Sequence, residues 1–98
     1  MKPRLVFRRG VKGEIAEAYS WYEKQRKGLG DEFAQCIEDT LEKIQARPTL
    51  TATVLRDVRC RLLPPFPYAV YYRVTGKVIR VLAVLHTRRD PQEWISRN

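Results

Sequence analysis

Val58-Arg59-Cys60-Arg61-Leu62-Leu63, then Phe66-Pro67-Tyr68-Ala69-Val70-Tyr71-Tyr72-Arg73-Val74, then Val78-Ile79-Arg80-Val81-Leu82-Ala83-Val84-Leu85-His86: these three runs decide the fold. Each is rich in β-branched and aromatic residues and bounded by turn formers, the pattern of strands. In the first, Val58, Cys60 and Leu62 point one way and Arg59 and Arg61 the other. In the second, Tyr68, Val70, Tyr72 and Val74 alternate with Ala69, Tyr71 and Arg73. Pro64, Pro65 and Pro67 separate the first pair of strands. Gly76-Lys77 closes the second pair, because glycine supplies the positive φ of a tight hairpin. The three runs predict an antiparallel meander, and the long apolar run Val78–His86 is expected to lie centrally.

Upstream the period changes. Ile15, Tyr19 and Tyr22 recur at helical spacing with Ala18 beside them, and Phe33, Ile37, Leu41 and Ile44 form a second stripe. Gly28 and Gly30 break the first helix from the second, with Asp31 as the expected acceptor at the second helix's start. Pro48 ends that helix. So short a connection predicts an antiparallel hairpin. Arg4–Arg8, around Leu5, Val6 and Phe7, reads as a first strand, and residues 48–57 read as a loop. Pro91 opens a short C-terminal helix carrying Trp94 and Ile95. The expected architecture is α+β: an N-terminal strand, an antiparallel helical hairpin on one face of a sheet completed by the three-stranded meander, and a C-terminal helix. Residues 1–98 form one domain, with no repeat or linker. The sheet face opposite the hairpin is expected to display arginines. Which strand face that is stays open, because Val78–His86 is apolar on both sides.

Composition narrows the function classes. A hydrophobic share of 44% is too high for a disordered chain. No run approaches the roughly 18 apolar residues of a membrane span. Met1-Lys2-Pro3-Arg4 does not open a signal peptide's apolar core, so a cytoplasmic location and no membrane partner are expected. Cys36 and Cys60 lack metal or disulfide spacing and read as packed thiols; no metal and no cofactor are expected. The net charge of +8 is segregated. Residues 11–46 carry five basic and eight acidic side chains, net −3, while residues 47–98 carry ten basic and three acidic, net +7. Segregation of this kind implies a face that meets an anion. Its candidates are Arg59, Arg61, Arg73, Arg80, Arg88 and Arg89.

The order of elements resembles the RelE/ParE superfamily of type II toxins. The resemblance is carried by Glu17-Ala18-Tyr19-Ser20-Trp21-Tyr22-Glu23, Gly28-Leu29-Gly30-Asp31-Glu32-Phe33, Phe66-Pro67-Tyr68-Ala69-Val70-Tyr71-Tyr72-Arg73 and Val84-Leu85-His86-Thr87-Arg88-Arg89-Asp90-Pro91-Gln92-Glu93-Trp94. It is nearer to the ParE branch, the plasmid-stabilisation proteins, and covers almost the whole chain. Membership implies a toxin neutralised by a cognate antitoxin whose disordered C-terminal segment wraps it. Trp21 is the candidate antitoxin contact, although an amphipathic helix always has core aromatics and the core reading comes first for it.

The branches differ in target. ParE toxins stall DNA gyrase, which is binding and not catalysis. The expected target contacts are then Arg59, Arg61, Arg73, Arg88, Arg89 and Trp94. RelE toxins are ribosome-dependent mRNA interferases. Carried over by position, their basic pair falls on Arg59 and Arg61, which keep charge but make poor bases. Their next arginine falls on Ala69, their later one on Arg88, and their acid–base tyrosine on Trp94, which has no titratable hydroxyl. This favours the gyrase reading, with no catalytic residue. The alternative interferase would use His86 as acid–base group with Arg61 and Arg88. A local role for His86 as a strand cap competes with it.

Overall fold

The computed structural model describes residues 2–90. The C-terminal helix expected from Pro91 onward, with Trp94 and Ile95, lies outside the described residues. Seven elements follow in order: β1 (Arg4–Phe7), α1 (Val11–Gln25), α2 (Leu29–Ala46), β2 (Thr53–Leu55), β3 (Val58–Leu63), β4 (Phe66–Thr75) and β5 (Val78–His86). They form a single five-stranded sheet in the order β1-β5-β4-β3-β2. β3, β4 and β5 make the antiparallel meander, and β1 lies parallel to β5. A parallel pair needs a crossover, and the helical hairpin begins that excursion. β5 lies inside the sheet, between β1 and β4, and β4 is the middle strand of the five.

The connection of residues 48–57 is not all loop. It contains β2, which pairs antiparallel with β3 through Thr53 and Leu55. Arg56 turns this hairpin at φ 53, a left-handed value that costs a non-glycine residue only modestly in a tight turn. Beneath it lies Tyr72, fully buried. Its hydroxyl donates to the Pro48 carbonyl at 3.0 Å, so the Thr51 hydroxyl 2.7 Å away donates to Tyr72. A buried phenol is thereby satisfied on both sides.

The hairpin is clasped at its turn. Asp31 was the expected cap of α2, but Glu23 of α1 takes that place. One Glu23 oxygen accepts the Gly28 N–H and the other the Gly30 N–H, each at 2.9 Å. These are donors that a helix start leaves without intrahelical partners, and a carboxylate there also meets the positive end of the helix dipole. Asp31 instead accepts the Tyr19 hydroxyl at 2.6 Å. Gly28 opens α2 at φ 90, and Gly30 lies so close to α1 that a Cβ would stand 2.8 Å from the Tyr19 carbonyl oxygen.

The principal core lies between hairpin and sheet. Tyr22, Phe33, Phe66 and Tyr68 interlock at its heart, with centroids 4.9 Å apart for Tyr22–Phe66 and 5.1 Å for Phe33–Phe66. Edge-on aromatic packing of this kind adds to simple area burial. A second cluster, Val58, Ala69, Tyr71, Leu82, Ala83 and Leu85 with Leu55 and Cys60, occupies the opposite face. Its presence settles the orientation of β3, which alternation had left open. Val58 and Cys60 belong to the outer cluster, while Arg59 and Arg61 pair across the sheet with Tyr72 and Val70 and share their helix side. The outer face does display arginines, among them Arg73 and Arg80.

Gly30→Ala is expected to cost about 1–3 kcal/mol in urea denaturation, since the new methyl would displace Glu23 or part the helices. Gly13→Ala, where a Cβ meets nothing within 4 Å, is expected to be neutral or stabilising. Midpoints that shift alike would show that the clasp carries no stability.

Candidate functional site

β5 is longer than its parallel neighbour. β1 pairing ends at Phe7 opposite Val81, with the Arg8 N–H on the Val81 carbonyl at 2.8 Å. Beyond that point two side chains replace a strand. The Arg8 guanidinium donates to the Leu82 carbonyl at 3.3 Å, and the Glu14 carboxylate accepts the Val84 N–H at 3.0 Å. Glu14 is half-buried. Burial pushes its pKa above the ordinary carboxylate value, and the Val84 bond and nearby Arg8 oppose that shift without cancelling it.

A cleft opens here between α1 and the end of β5, lined by Glu14, Glu17, Trp21, Tyr68, His86 and Arg89. Trp21 stands at its rim, 57% exposed and edge-on to Tyr22 at 5.2 Å. It is not a core residue: the helix buries Val11, Ala18 and Tyr22 instead. His86 packs edge-on to Tyr68 at 5.4 Å. Its Nδ1 accepts the Arg88 N–H at 3.1 Å, which makes Nδ1 the acceptor nitrogen of the ring and ties His86 into the turn after β5. Burial raises the phenol pKa values of Tyr22 and Tyr68, so neither supplies a base near neutral pH.

A second cleft lies on the other flank of the hairpin, between α2 and β3. Arg61 lines it with Glu32, Asp39, Lys43 and Cys36. The aromatic core stands between the two clefts. The structure therefore sets Arg61 and His86 on opposite flanks of the helical hairpin. Arg59 is engaged elsewhere: its guanidinium donates to the Thr49 and Thr51 carbonyls and pins the segment leading to β2. Arg73 is on the outer face, its Nε 2.9 Å from Asp57. Arg88 is exposed past β5, Arg89 borders the α1 cleft, and Trp94 lies outside the described residues. The six arginines read together in the sequence are thus divided among several surfaces, with Arg73 and Arg80 together on the outer face. Both cysteines are free thiols whose pKa values burial raises. Sequence reasoning did not single out Glu14, which lies off the apolar stripe of α1, and met Glu17 only within the family motif. Among the described residues no helix is long and apolar enough to cross a membrane.

The family model described as the ParE toxin of type II toxin-antitoxin system, parDE, matches residues 5–91. The chain belongs to the ParE toxin family. It is similar to Toxin ParE2 of Mycobacterium tuberculosis, in strains CDC 1551 / Oshkosh and ATCC 25618 / H37Rv. Each is 33% identical over 92 residues, spanning 93% of this chain and 88% of the relative. A solved chain described as "Chromosomal ParDE TA system from P. aeruginosa" superposes with a TM-score of 0.75 at 20% identity. That match covers 87% of this chain and 96% of the other, and it confirms the fold. Within this ParE fold the resemblance read in the helix and strand motifs is borne out, and the cleft beside Trp21 is flanked by the family's helical hairpin.

Folding raises the pKa of Glu14, so the fold favours its protonated form. That contribution to stability is complete below the ordinary carboxylate pKa and is lost as pH rises through the raised value. Glu14→Gln cannot ionise and still offers Val84 an acceptor. It is expected to gain stability relative to the native chain as pH climbs from acid to neutral. Glu14→Ala is expected to lose about 1 kcal/mol, because the Val84 N–H is left unpaired. Thermal melts across that pH range check both. Parallel curves for the native and Gln chains would contradict the assignment.

Proposed function

We propose that this ParE-family toxin acts by binding DNA gyrase and blocking DNA replication, with no catalytic residue of its own, and that a cognate antitoxin neutralises it. The observation that carries the reading is the placement of His86 and Arg61. An RNA-cleaving site requires a proton-transfer group and phosphate-holding cations around one scissile bond. Here the histidine and the strand arginine flank opposite sides of the hairpin, Arg59 is committed to backbone carbonyls, and Ala69 contributes no charge. A binding protein has no such requirement, and its arginines can serve on separate surfaces.

The antitoxin is assigned to the cleft beside α1. An exposed tryptophan at the rim of an aromatic-lined groove is the kind of anchor on which binding energy concentrates. Trp21→Ala, in the complex with the cognate antitoxin, is expected to weaken affinity by about 2 kcal/mol, roughly thirtyfold. Its exposure means that the free toxin's melting temperature stays put. Unchanged affinity would remove this cleft from the antitoxin contact.

The target is tested by pulse-labelling DNA and protein synthesis within minutes of inducing the toxin alone. DNA synthesis is expected to fall first, with translation intact, and His86→Ala is expected to remain toxic. An early fall in translation, abolished by His86→Ala, would replace the gyrase reading with the interferase that uses His86, Arg61 and Arg88. Purified gyrase supplies the direct assay, in which added toxin is expected to inhibit supercoiling.

A further inference from the structure

Arg73 of β4 and Arg80 of β5 stand directly opposite each other in the antiparallel ladder. Residues so paired share a face, and like charges there repel. The face is the outer one, away from the helices. Arg4 joins them: Val6 pairs with Arg80, and Arg4, two residues earlier on β1, shares that side. Asp57 pairs with one of them, its carboxylate taking the Arg73 Nε at 2.9 Å. Arg4 and Arg80 are exposed and have no ion-pair partner among the described residues. A cross-strand pair of like charge costs stability, and nothing in the fold of β4 and β5 needs it.

We propose that Arg4, Arg73 and Arg80 form a docking surface for the phosphate backbone of duplex DNA. Three observations favour this occupant. The acidic side chains of the chain concentrate on the helical hairpin, on the far side of the sheet, so the molecule's field turns the outer face toward a polyanion. Guanidinium groups offer the planar donor forks that phosphate oxygens accept. Among the described residues the exposed large apolar side chains are Trp21, Leu50, Val54 and Leu62; Leu62 shares the outer face but lies on β3, and β1, β4 and β5, which carry the three arginines, have none. An acidic protein partner would be expected to find apolar anchors beside the charge, whereas backbone contact to DNA needs charge alone. The inference is independent of gyrase: the surface holds DNA by its phosphates and reads no sequence.

The test is fluorescence anisotropy of an end-labelled 20-base-pair duplex of arbitrary sequence with the purified full-length chain, over a salt series. Arg4→Gln/Arg80→Gln removes two charges from the outer face. It is expected to reduce the slope of log affinity against log salt by about two, following roughly 0.9 per phosphate contact. Its melting temperature is expected to hold or rise, since repulsion is relieved. Lys24→Gln/Lys27→Gln removes two charges from the hairpin and is expected to leave the slope unchanged. Equal losses from both pairs would mean that net charge alone attracts DNA, and the proposal falls. It falls equally if the native chain does not bind the duplex, or if polyglutamate displaces the DNA at matched charge concentration. Because gyrase is absent from the assay, none of these results bears on the gyrase reading.

Discussion

A one-residue bulge in β5 governs the rest of the structure. Tyr71 pairs with Ala83 and Tyr72 with Val81, so Leu82 has no partner on β4. An extra residue in one strand reverses the side-chain alternation beyond it. Before the bulge Ile79 and Val81 face the helices; after it Val84 does, and Leu82, Ala83 and Leu85 fill the opposite cluster. The shift also carries His86 to the helix side, against Tyr68. Without it His86 would look out from the other face, and the α1 cleft would lose one of its walls.

The bulge also explains what sequence reasoning reached and where it stopped. The helical stripes and the three long strands were legible because each keeps one period over many residues. The resemblance carried in the α1 motif and around Phe66–Arg73 was legible for the same reason, since short words survive in order. The orientation of β3 was not. Alternation says that Arg59 and Arg61 lie opposite Val58 and Cys60, but not which set meets the helices, and a sheet with apolar clusters on both faces gives hydrophobicity no vote. β2 escaped because three residues, two of them exposed, are too few to establish a period. The cap of α2 escaped as well: Glu23 lies in the preceding helix, and no local rule for helix starts searches there.

The candidate surfaces follow the same division. Residue types in the sequence proposed a cationic cluster, yet topology distributes its members among a clamp on a loop, a cleft beside α2, the outer face and the turn after β5. Proximity in sequence on a β-strand is a poor guide to shared surface, since neighbours face opposite ways. Trp21 shows the converse. Its surroundings in α1 suit a core aromatic, and only the packing of Tyr22 into the hairpin leaves it at the rim.

The two side chains that stand in for a strand beside β5 have a consequence for the molecule in concentrated solution. An unpaired strand edge invites a second copy to add its own strand and extend the sheet. Along Leu82–Val84 that invitation is withdrawn, because Arg8 occupies a carbonyl and Glu14 an amide that an incoming strand would need. The blocking groups are held by α1 and by the end of β1, so they stay in place as long as the domain is folded. Self-association along Leu82–Val84 would require local unfolding first, which ties the protection of this stretch to the integrity of the N-terminal third.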